Sequence, residues 1–187
     1  MKVQAGDTIQ SREFVTALGE SIMVPDWDAL VHLQFRRFSG CPICNTHIAQ
    51  FIRRHDEIKA AGVREIFFFH SSADEVLAIH KGLPFDAIAD PGKVHYKQFG
   101  VEFSWRYALG VLPLRALLRG LLHSKVARKR RGGTFGLPAD ILIAPSGRVV
   151  AAKYGTHAFD QWSVDELLAF AQPEVPTKRR RVSPIVA

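Results

Sequence analysis

Two cysteines, Cys41 and Cys44, are the side chains of this chain best suited to covalent chemistry, and the sequence contains no others. A buried-strand pattern ends just before Cys41, and a helical pattern begins just after it. A cysteine in the first turn of a helix lies among unpaired backbone N–H groups, which favour the thiolate over the thiol. A second cysteine one turn along is close enough to form a disulfide with the first. The spacing therefore predicts thiol–disulfide chemistry.

The elements that must position this pair alternate between strand and helix. Apolar runs predict strands over 20–24, 30–38, 63–69, 86–89, 141–143 and 149–154. Helical spacing predicts helices over 42–61, 72–80 and 93–99, and a last helix that begins after Ser163. Ser163 and Glu166 have the spacing of a capping box, Gly62 stands where a helix-ending glycine is expected, and Pro145-Ser146-Gly147 predicts a hairpin turn. The order indicates an α/β protein with a thioredoxin-like mixed central sheet flanked by helices.

Composition fits one folded domain with a tail. The 187 residues are 47% hydrophobic and 23% charged, which excludes a disordered chain. We assign the domain to 1–172 and a basic, disordered tail to 173–187, in which 178–181 reads Lys-Arg-Arg-Arg. This tail is interpreted as a solubilising terminus rather than a specific nucleic-acid contact. No apolar run is long enough for a membrane span, and the first residues lack a signal peptide's apolar core, so we expect a cytoplasmic location.

An insertion of about 103–136 interrupts the domain and contains a basic amphipathic helix. Its apolar stripe and flanking basic residues recur at helical spacing: Leu114, Leu117, Leu118, Leu121 and Leu122, with Arg115, Arg119 and His123. We expect the stripe to pack on its own domain or on a second subunit of a homodimer. Contact with a membrane surface or an acidic partner is an alternative, as is a cover over the cysteines that selects a hydrophobic substrate.

Four segments carry a resemblance to a known family. They are 34–44 (Gln-Phe-Arg-Arg-Phe-Ser-Gly-Cys-Pro-Ile-Cys), 67–70 (Phe-Phe-Phe-His), Asp90-Pro91, and 136–143 (Gly-Leu-Pro-Ala-Asp-Ile-Leu-Ile) with the turn that follows. Over about 3–171 the chain resembles the AhpC/TSA (peroxiredoxin-like) family of the thioredoxin superfamily. Within that family it is most similar to the peroxiredoxin-like 2 group, which includes prostamide/prostaglandin F synthases.

The resemblance implies a role for each matched residue. Cys41 would be the attacking thiolate, Cys44 the resolving thiol, and Pro138 the cis-proline that thioredoxin-like proteins hold against their cysteines. It implies antioxidant reduction of a peroxide or disulfide through an intramolecular disulfide, which a thioredoxin- or glutathione-type donor then reduces. No nucleotide or flavin motif is present, so we expect no cofactor and assign the electrons to that partner.

Two family positions differ here. Peroxiredoxins carry Thr or Ser three residues before the reactive cysteine, where this chain has Phe38, and an arginine where it has Pro138. Either Arg36 or Arg37 can replace that arginine, but side-chain alternation allows only one of them to face Cys41. Pro42 removes one amide that would stabilise the thiolate. These differences favour a disulfide or a bulky peroxide over hydrogen peroxide as the substrate.

Other interpretations of the same residues remain open. Zinc could bind Cys41, Cys44 and His47, but a second cysteine pair is lacking, and His70, His80, His95 or His157 would have to come close. His47 is expected on the solvated side of its helix near the active-site mouth. His70 and Asp90 lie at the sheet edge where ligands gather, or make turn hydrogen bonds. The alternative to an enzyme is a redox-responsive binding module whose disulfide controls a partner contact.

Overall fold

The fold is known from a computed structural model, which describes residues 2–101 and 136–172. The strands and helices, in chain order, are β1 (Arg12–Val15), β2 (Ser21–Val24), β3 (Leu30–Phe35), α1 (Pro42–Arg53), α2 (His55–Ala60), β4 (Val63–Phe69), α3 (Ala73–His80), β5 (Asp86–Ala89), α4 (Val94–Gln98), β6 (Ala139–Ile143), β7 (Val149–Tyr154) and α5 (Val164–Ala171). The predicted tail and almost all of the predicted insertion lie outside the described residues.

Five strands form one mixed sheet in the order β5-β4-β3-β6-β7. Strands β3, β4 and β5 are parallel, whereas β6 runs antiparallel to β3 and β7 antiparallel to β6. Strands β1 and β2 form a separate antiparallel pair. The predicted thioredoxin-like sheet flanked by helices is confirmed. None of the described helices has the length and apolarity that crossing a membrane requires.

Helix caps and turn glycines lie where the sequence predicts them. The Ser163–Glu166 capping box is present, and Ser72 forms a second one with Glu75 at the start of α3. Gly62 follows α2 with a φ of +70°, which a glycine adopts without strain. Gly147 turns the β6–β7 hairpin at φ +84°, and a Cβ there would lie 2.8 Å from the Ile9 carbonyl oxygen. The hairpin prediction is therefore confirmed.

Some elements differ from the predictions. Strand β3 ends at Phe35 rather than at residue 38, because the chain turns there toward α1. The helix predicted over 42–61 is divided at Arg54, whose guanidinium is held by Glu57 and Asp165. Strand β1 was not predicted, since only Phe14 of its four residues is buried and the alternation is weak.

The sheet separates two buried layers. One lies toward α1, α3 and α5 and includes both cysteines with Ile48, Phe51 and Leu167. The other lies toward β1, β2 and α4 and is built around aromatic rings. Burying a large apolar side chain stabilises a fold by roughly 1.5–3 kcal/mol, so the first layer holds α1 against the sheet.

Candidate active site

The carboxyl end of β3 delivers the cysteine pair to the first turn of α1. The Arg36 N–H still donates to the Phe68 carbonyl of β4, after which the chain leaves the sheet. Cys41 is the N-cap of α1 in an extended conformation, and Pro42 is the first helical residue. Proline is favourable there because its missing N–H would have had no partner within the helix. The predicted strand-to-helix placement of the cysteines is present.

The Cys41 sulfur is surrounded by groups that favour its thiolate. The Cys44 thiol donates to it, the backbone N–H groups of Cys44 and Ile43 point at it, and Nη1 of Arg37 lies 3.7 Å away. These contacts outweigh burial and lower the pKa of Cys41 to about 6. A thiol with that pKa is mostly ionised at neutral pH. Both side chains are shielded, since Cys41 is 1% exposed and Cys44 0%.

Cys44, in contrast, keeps its proton. Its hydrogen bond to Cys41, its burial and the Cys41 charge all raise the pKa of the Cys44 thiol, against the backbone N–H of Arg37 and the Arg36 charge. The pair therefore shares one proton, which resides on Cys44. No disulfide joins the two sulfurs in this structure, so the pair is reduced. A thiolate beside a protonated thiol is the arrangement from which an intramolecular disulfide forms.

Arg36 and Arg37 have different environments, as alternation requires. Arg37 lies past the strand end, where it contacts Cys41 and approaches the Phe38 ring at 5.7 Å. Arg36 is fully buried under α1, with Nη2 2.6 Å from Oδ1 of Asp140 on β6. Arg37 is therefore the arginine beside the thiolate, and Arg36 acts on the pair only through its charge.

Arg36 belongs to a buried polar network that sequence reasoning missed. It consists of His32, Gln34 and Arg36 on β3, Glu65 on β4 and Asp140 on β6, and all five residues are at most 3% exposed. Nη2 of Arg36 also donates to the Gln34 amide oxygen, and the Gln34 amide nitrogen donates to Glu65. Nδ1 of His32 lies 2.9 Å from Oε2 of Glu65, and its Nε2 lies 3.2 Å from Oδ1 of Asp140.

The charges in this network stabilise one another. Burial opposes ionisation of His32, but the Glu65 and Asp140 carboxylates raise its pKa to about 8. Burial likewise opposes ionisation of Asp140, yet the Arg36 charge and His32 hold its pKa below the usual range. The sequence does contain a signal for this network, since polar residues occupy alternate positions 32, 34 and 36 of an otherwise apolar strand.

His47 is half-buried against the segment that enters α5, so the prediction of a solvated position is wrong. Nε2 of its ring lies 2.7 Å from the Trp162 carbonyl oxygen, and the ring stacks on Phe51 with centroids 4.8 Å apart. Burial and the Arg36 charge lower the pKa of His47 to about 3. The reason is tertiary: α5 packs against this side of α1. Among the described residues, no group of three His, Cys, Asp or Glu side chains could hold a metal ion.

The bond before Pro138 is trans, so the prediction of a cis bond is wrong. Among the described residues the single cis bond is Val24–Pro25. Pro138 is the extended residue just before β6, and its carbonyl accepts a hydrogen bond from the Gly155 N–H at 2.9 Å. A Cβ on Gly155 would approach Pro138 Cγ to 2.8 Å, so Pro138 packs tightly against the end of β7. It acts here as a proline that begins a strand.

The remaining residues at the sheet edge are mainly structural. The Asp90 carboxylate accepts the N–H groups of Val94 and His95 at 2.8 and 2.7 Å and thereby caps α4, as the turn interpretation expected. His70 is fully buried between the rings of Phe38 and Tyr96. His80 caps the cysteine loop, since its Nε2 lies 3.0 Å from the Ser39 carbonyl oxygen. This contact from α3 holds the loop that leads to Cys41.

The chain is similar to known proteins in structure but not in sequence. Neither a protein-family model nor a curated protein matches the sequence. Among solved structures, the chain is similar to the peroxidoxin BcpB from Mycobacterium tuberculosis, with a TM-score of 0.67 and 15% identity over 91% of this chain and 97% of the other. It is also similar to a cysteine-to-serine mutant of peroxiredoxin 6 of Arenicola marina, with a TM-score of 0.64 and 15% identity over 91% of this chain and 72% of the other.

A third similar structure is a putative thiol:disulfide interchange protein DsbE from Chlorobium tepidum. Its TM-score is 0.57 and its identity 16%, over 91% of this chain and 99% of the other. Together these likenesses confirm the thioredoxin-like fold that the order of the elements predicts. At such low identity they establish the fold, and the chemistry has to be argued from the site itself.

Proposed function

We propose that this protein is a thiol-dependent oxidoreductase that reduces a disulfide or a bulky peroxide through Cys41 and Cys44. One observation carries the proposal: a cysteine whose pKa is lowered to about 6 accepts a hydrogen bond from a second cysteine that keeps its proton. Oxidoreductases need both species, a nucleophilic thiolate and a nearby thiol that resolves the first product. Peroxiredoxin and DsbE-like structural neighbours support this class.

With a disulfide substrate, the Cys41 thiolate attacks one sulfur, the substrate S–S bond breaks and one substrate thiolate leaves. Cys44 then loses its proton and attacks the Cys41 sulfur, which releases the second substrate thiolate and leaves the Cys41–Cys44 disulfide. With a hydroperoxide, the thiolate attacks oxygen, the O–O bond breaks, and the departing oxygen takes a proton from solvent and leaves as an alcohol or water. The Cys41 sulfenic acid then condenses with Cys44, and water is released. A dithiol of the thioredoxin or glutathione class reduces the protein disulfide and completes the cycle.

The other candidate residues support this cycle from their places around the pair. Arg37 takes the part of the family arginine, because its guanidinium lies 3.7 Å from the Cys41 sulfur. Phe38 replaces a hydroxyl that would orient a peroxide, and Pro138 has no polar group to add, so little in the site selects hydrogen peroxide. This is why we assign a disulfide or a larger peroxide as the substrate.

Stopped-flow fluorescence of the reduced protein tests the proposal. Hydrogen peroxide, an alkyl hydroperoxide and a small disulfide are compared on wild type, Cys41→Ser and Cys44→Ser. We expect rapid oxidation of wild type, none in Cys41→Ser, and a trapped sulfenate or mixed disulfide in Cys44→Ser. Oxidation no faster than that of an unactivated thiol would reject the enzyme and favour a redox-responsive binding module.

A further inference from the structure

Ser39 lies two residues before Cys41, and both of its backbone groups are bound by side chains from the end of β4 and from α3. Its N–H donates to Oγ of Ser71 at 3.1 Å, and its carbonyl oxygen lies 3.0 Å from Nε2 of His80, the last residue of α3. The Ser39 hydroxyl adds a third contact, 3.3 Å from the same Ser71 oxygen. All three residues are less than 10% exposed, so these hydrogen bonds are shielded from water. We call Ser71 and His80 the loop clamp.

The His80 ring of the loop clamp has a fixed position and a fixed proton. It stacks on Phe69 of β4, with ring centroids 4.6 Å apart. A carbonyl oxygen only accepts, so the contact with Ser39 requires a proton on Nε2. Burial lowers the pKa of His80, against the effect of the Ser39 carbonyl, and the ring is therefore neutral at pH 7. His80 thus donates one hydrogen bond to the backbone beside the cysteines.

The backbone that the loop clamp holds carries groups that act on both sulfurs. Nη1 of Arg37 lies 3.7 Å from the Cys41 sulfur, and the Arg37 backbone N–H donates to the Cys44 sulfur. The Cys41 sulfur also accepts from the Cys44 and Ile43 N–H groups, which it reaches only from its place at the start of α1. Hydrogen bonds weaken steeply when their distance and angle change. A displacement of Ser39 would therefore weaken several contacts of the cysteine pair together.

We propose that Ser71 and His80 are positioning residues for the reaction of Cys41. By binding the backbone of Ser39, they keep the Cys41 sulfur at the first turn of α1 and the Arg37 guanidinium beside it. This inference rests on the proposed function and extends it to two residues that act through the backbone of the loop rather than on the substrate.

The first test follows the alkylation of Cys41 by iodoacetamide between pH 5 and 9, with mass spectrometry of the Cys41 peptide. His80→Phe keeps a ring on Phe69 but offers no donor to the Ser39 carbonyl. We expect the rate at pH 6 to fall about fivefold, because a rise of about 1 in the pKa of Cys41 leaves about one tenth of the thiol ionised instead of half. His80→Gln should restore the wild-type profile, since its amide nitrogen is as many bonds from Cα as Nε2 of histidine.

Val76→Ala is the control for lost stability. Val76 lies on the same helix and is 1% exposed in the apolar layer, so this variant should be less stable but should keep the wild-type alkylation profile. A His80→Phe profile equal to that of Val76→Ala would overturn the role of His80 and leave the proposed function standing. A wild-type Cys41 that reacts like an unactivated thiol at every pH would overturn the proposed function, and the positioning role with it.

The second test approaches Ser39 from its N–H, and it remains available if His80→Phe does not fold. Ser71→Ala removes the acceptor of that N–H and should shift the alkylation profile in the same direction as His80→Phe. Ser146→Ala is the matched control, because its Oγ also accepts a backbone N–H, that of Arg148 at 3.4 Å, but in the β6–β7 turn. Equal profiles for the two serine variants would overturn the assignment of Ser71 as a positioning residue.

Discussion

The two faces of strand β3 are equally shielded from water but differ in chemistry. Val31, Leu33 and Phe35 point toward α4 and the β1–β2 pair, where Phe35 stacks on Phe68 with ring centroids 4.5 Å apart. The alternate residues His32, Gln34 and Arg36 form the polar network under α1. All six are buried, so exposure to solvent does not explain the difference.

The energetics of the two faces differ as well. Apolar burial stabilises the fold whichever apolar groups meet. A buried charge loses its hydration energy, and this loss is offset only when the charge makes all of its contacts with its partners. A hydrophobic replacement of a buried ion pair is often neutral for stability, so the network is not explained by stability alone. Burial and the Arg36 charge lower the pKa of His47, and the same charge slightly opposes the rise in the pKa of Cys44. The face toward α4 is therefore apolar packing, whereas the face under α1 places buried, paired charges beneath the helix that carries the cysteines.

The largest effect should come from breaking the polar face at Asp140. Asp140→Ala removes the carboxylate partner of Arg36, one of the two carboxylates beside His32, and the acceptor of the Trp162 backbone N–H. We therefore expect a loss of about 3–5 kcal/mol in the free energy of unfolding. Urea unfolding measures it. Asp165→Ala is the control, because Asp165 also lies 2.6 Å from an arginine, Arg54, but is 81% exposed. It should lose less than about 1 kcal/mol; equal losses would show that burial does not set the value of the pair.

A substitution on the apolar face should lower the stability of the protein without changing the pKa of Cys41. Leu33→Ala opens a cavity at a fully buried position, and we expect it to lower the free energy of unfolding by about 3 kcal/mol. The pKa of Cys41, followed by thiolate absorbance at 240 nm against pH, should remain at about 6. A displaced thiolate titration in this variant would mean that the two faces do not act separately.

A smaller effect should appear as a pH dependence of stability. The folded-state pKa of His32 is raised from 6.5 to about 8, which corresponds to ~2 kcal/mol favouring the folded protein. Because the pKa is raised, this stabilisation is fully present below pH ~6.5 and is lost as the pH rises through about 8. The titratable groups that contact the ring are Glu65 and Asp140, and the neutral His47 interacts with it electrostatically.

The measurement is urea unfolding between pH 6 and 9 in a Cys41→Ser background. That background removes the Cys41 titration, whose lowered pKa acts in the opposite direction, with stabilisation lost as the pH falls through about 6. His32→Gln is the comparison variant and should lack the decline above pH ~7. A decline of the same size in both proteins would exclude His32 as its source.

The smallest effect should come from Arg37, at the rim of the polar side. Arg37→Gln removes the cation 3.7 Å from the Cys41 sulfur, and we expect the pKa of Cys41 to rise by about 1. Alkylation by iodoacetamide below neutral pH should slow several-fold, with little change in stability. Arg53→Gln, an exposed arginine on α1, is the control and should leave the rate unchanged. Equal rates for the two variants would remove Arg37 from the role of thiolate stabiliser.

Local features of the fold could be predicted from the sequence because nearby residues decide them. The Ser163–Glu166 capping box needs contacts only three residues apart, and the β6–β7 turn needs only Pro145-Ser146-Gly147. The same holds for Cys41 at the start of α1, whose thiolate is favoured mainly by Cys44 and the first helical amides. Short segments of the chain are therefore enough to predict the order of the elements and the reactive cysteine pair.

Tertiary structure decided which distant groups meet. Arg36 reaches Asp140 across 104 positions, and His47 finds the Trp162 carbonyl across 115, so no local pattern could show that one is an ion-paired core residue and the other a neutral, half-buried ring. The packing of Pro138 against Gly155, the residue after β7, likewise joins positions that are distant in sequence. The sequence by itself determined the elements and the cysteine pair. Only the packing of β6 and α5 around α1 decided the charges beneath that pair, because charge–charge energies depend on distance and burial that strand pairing creates.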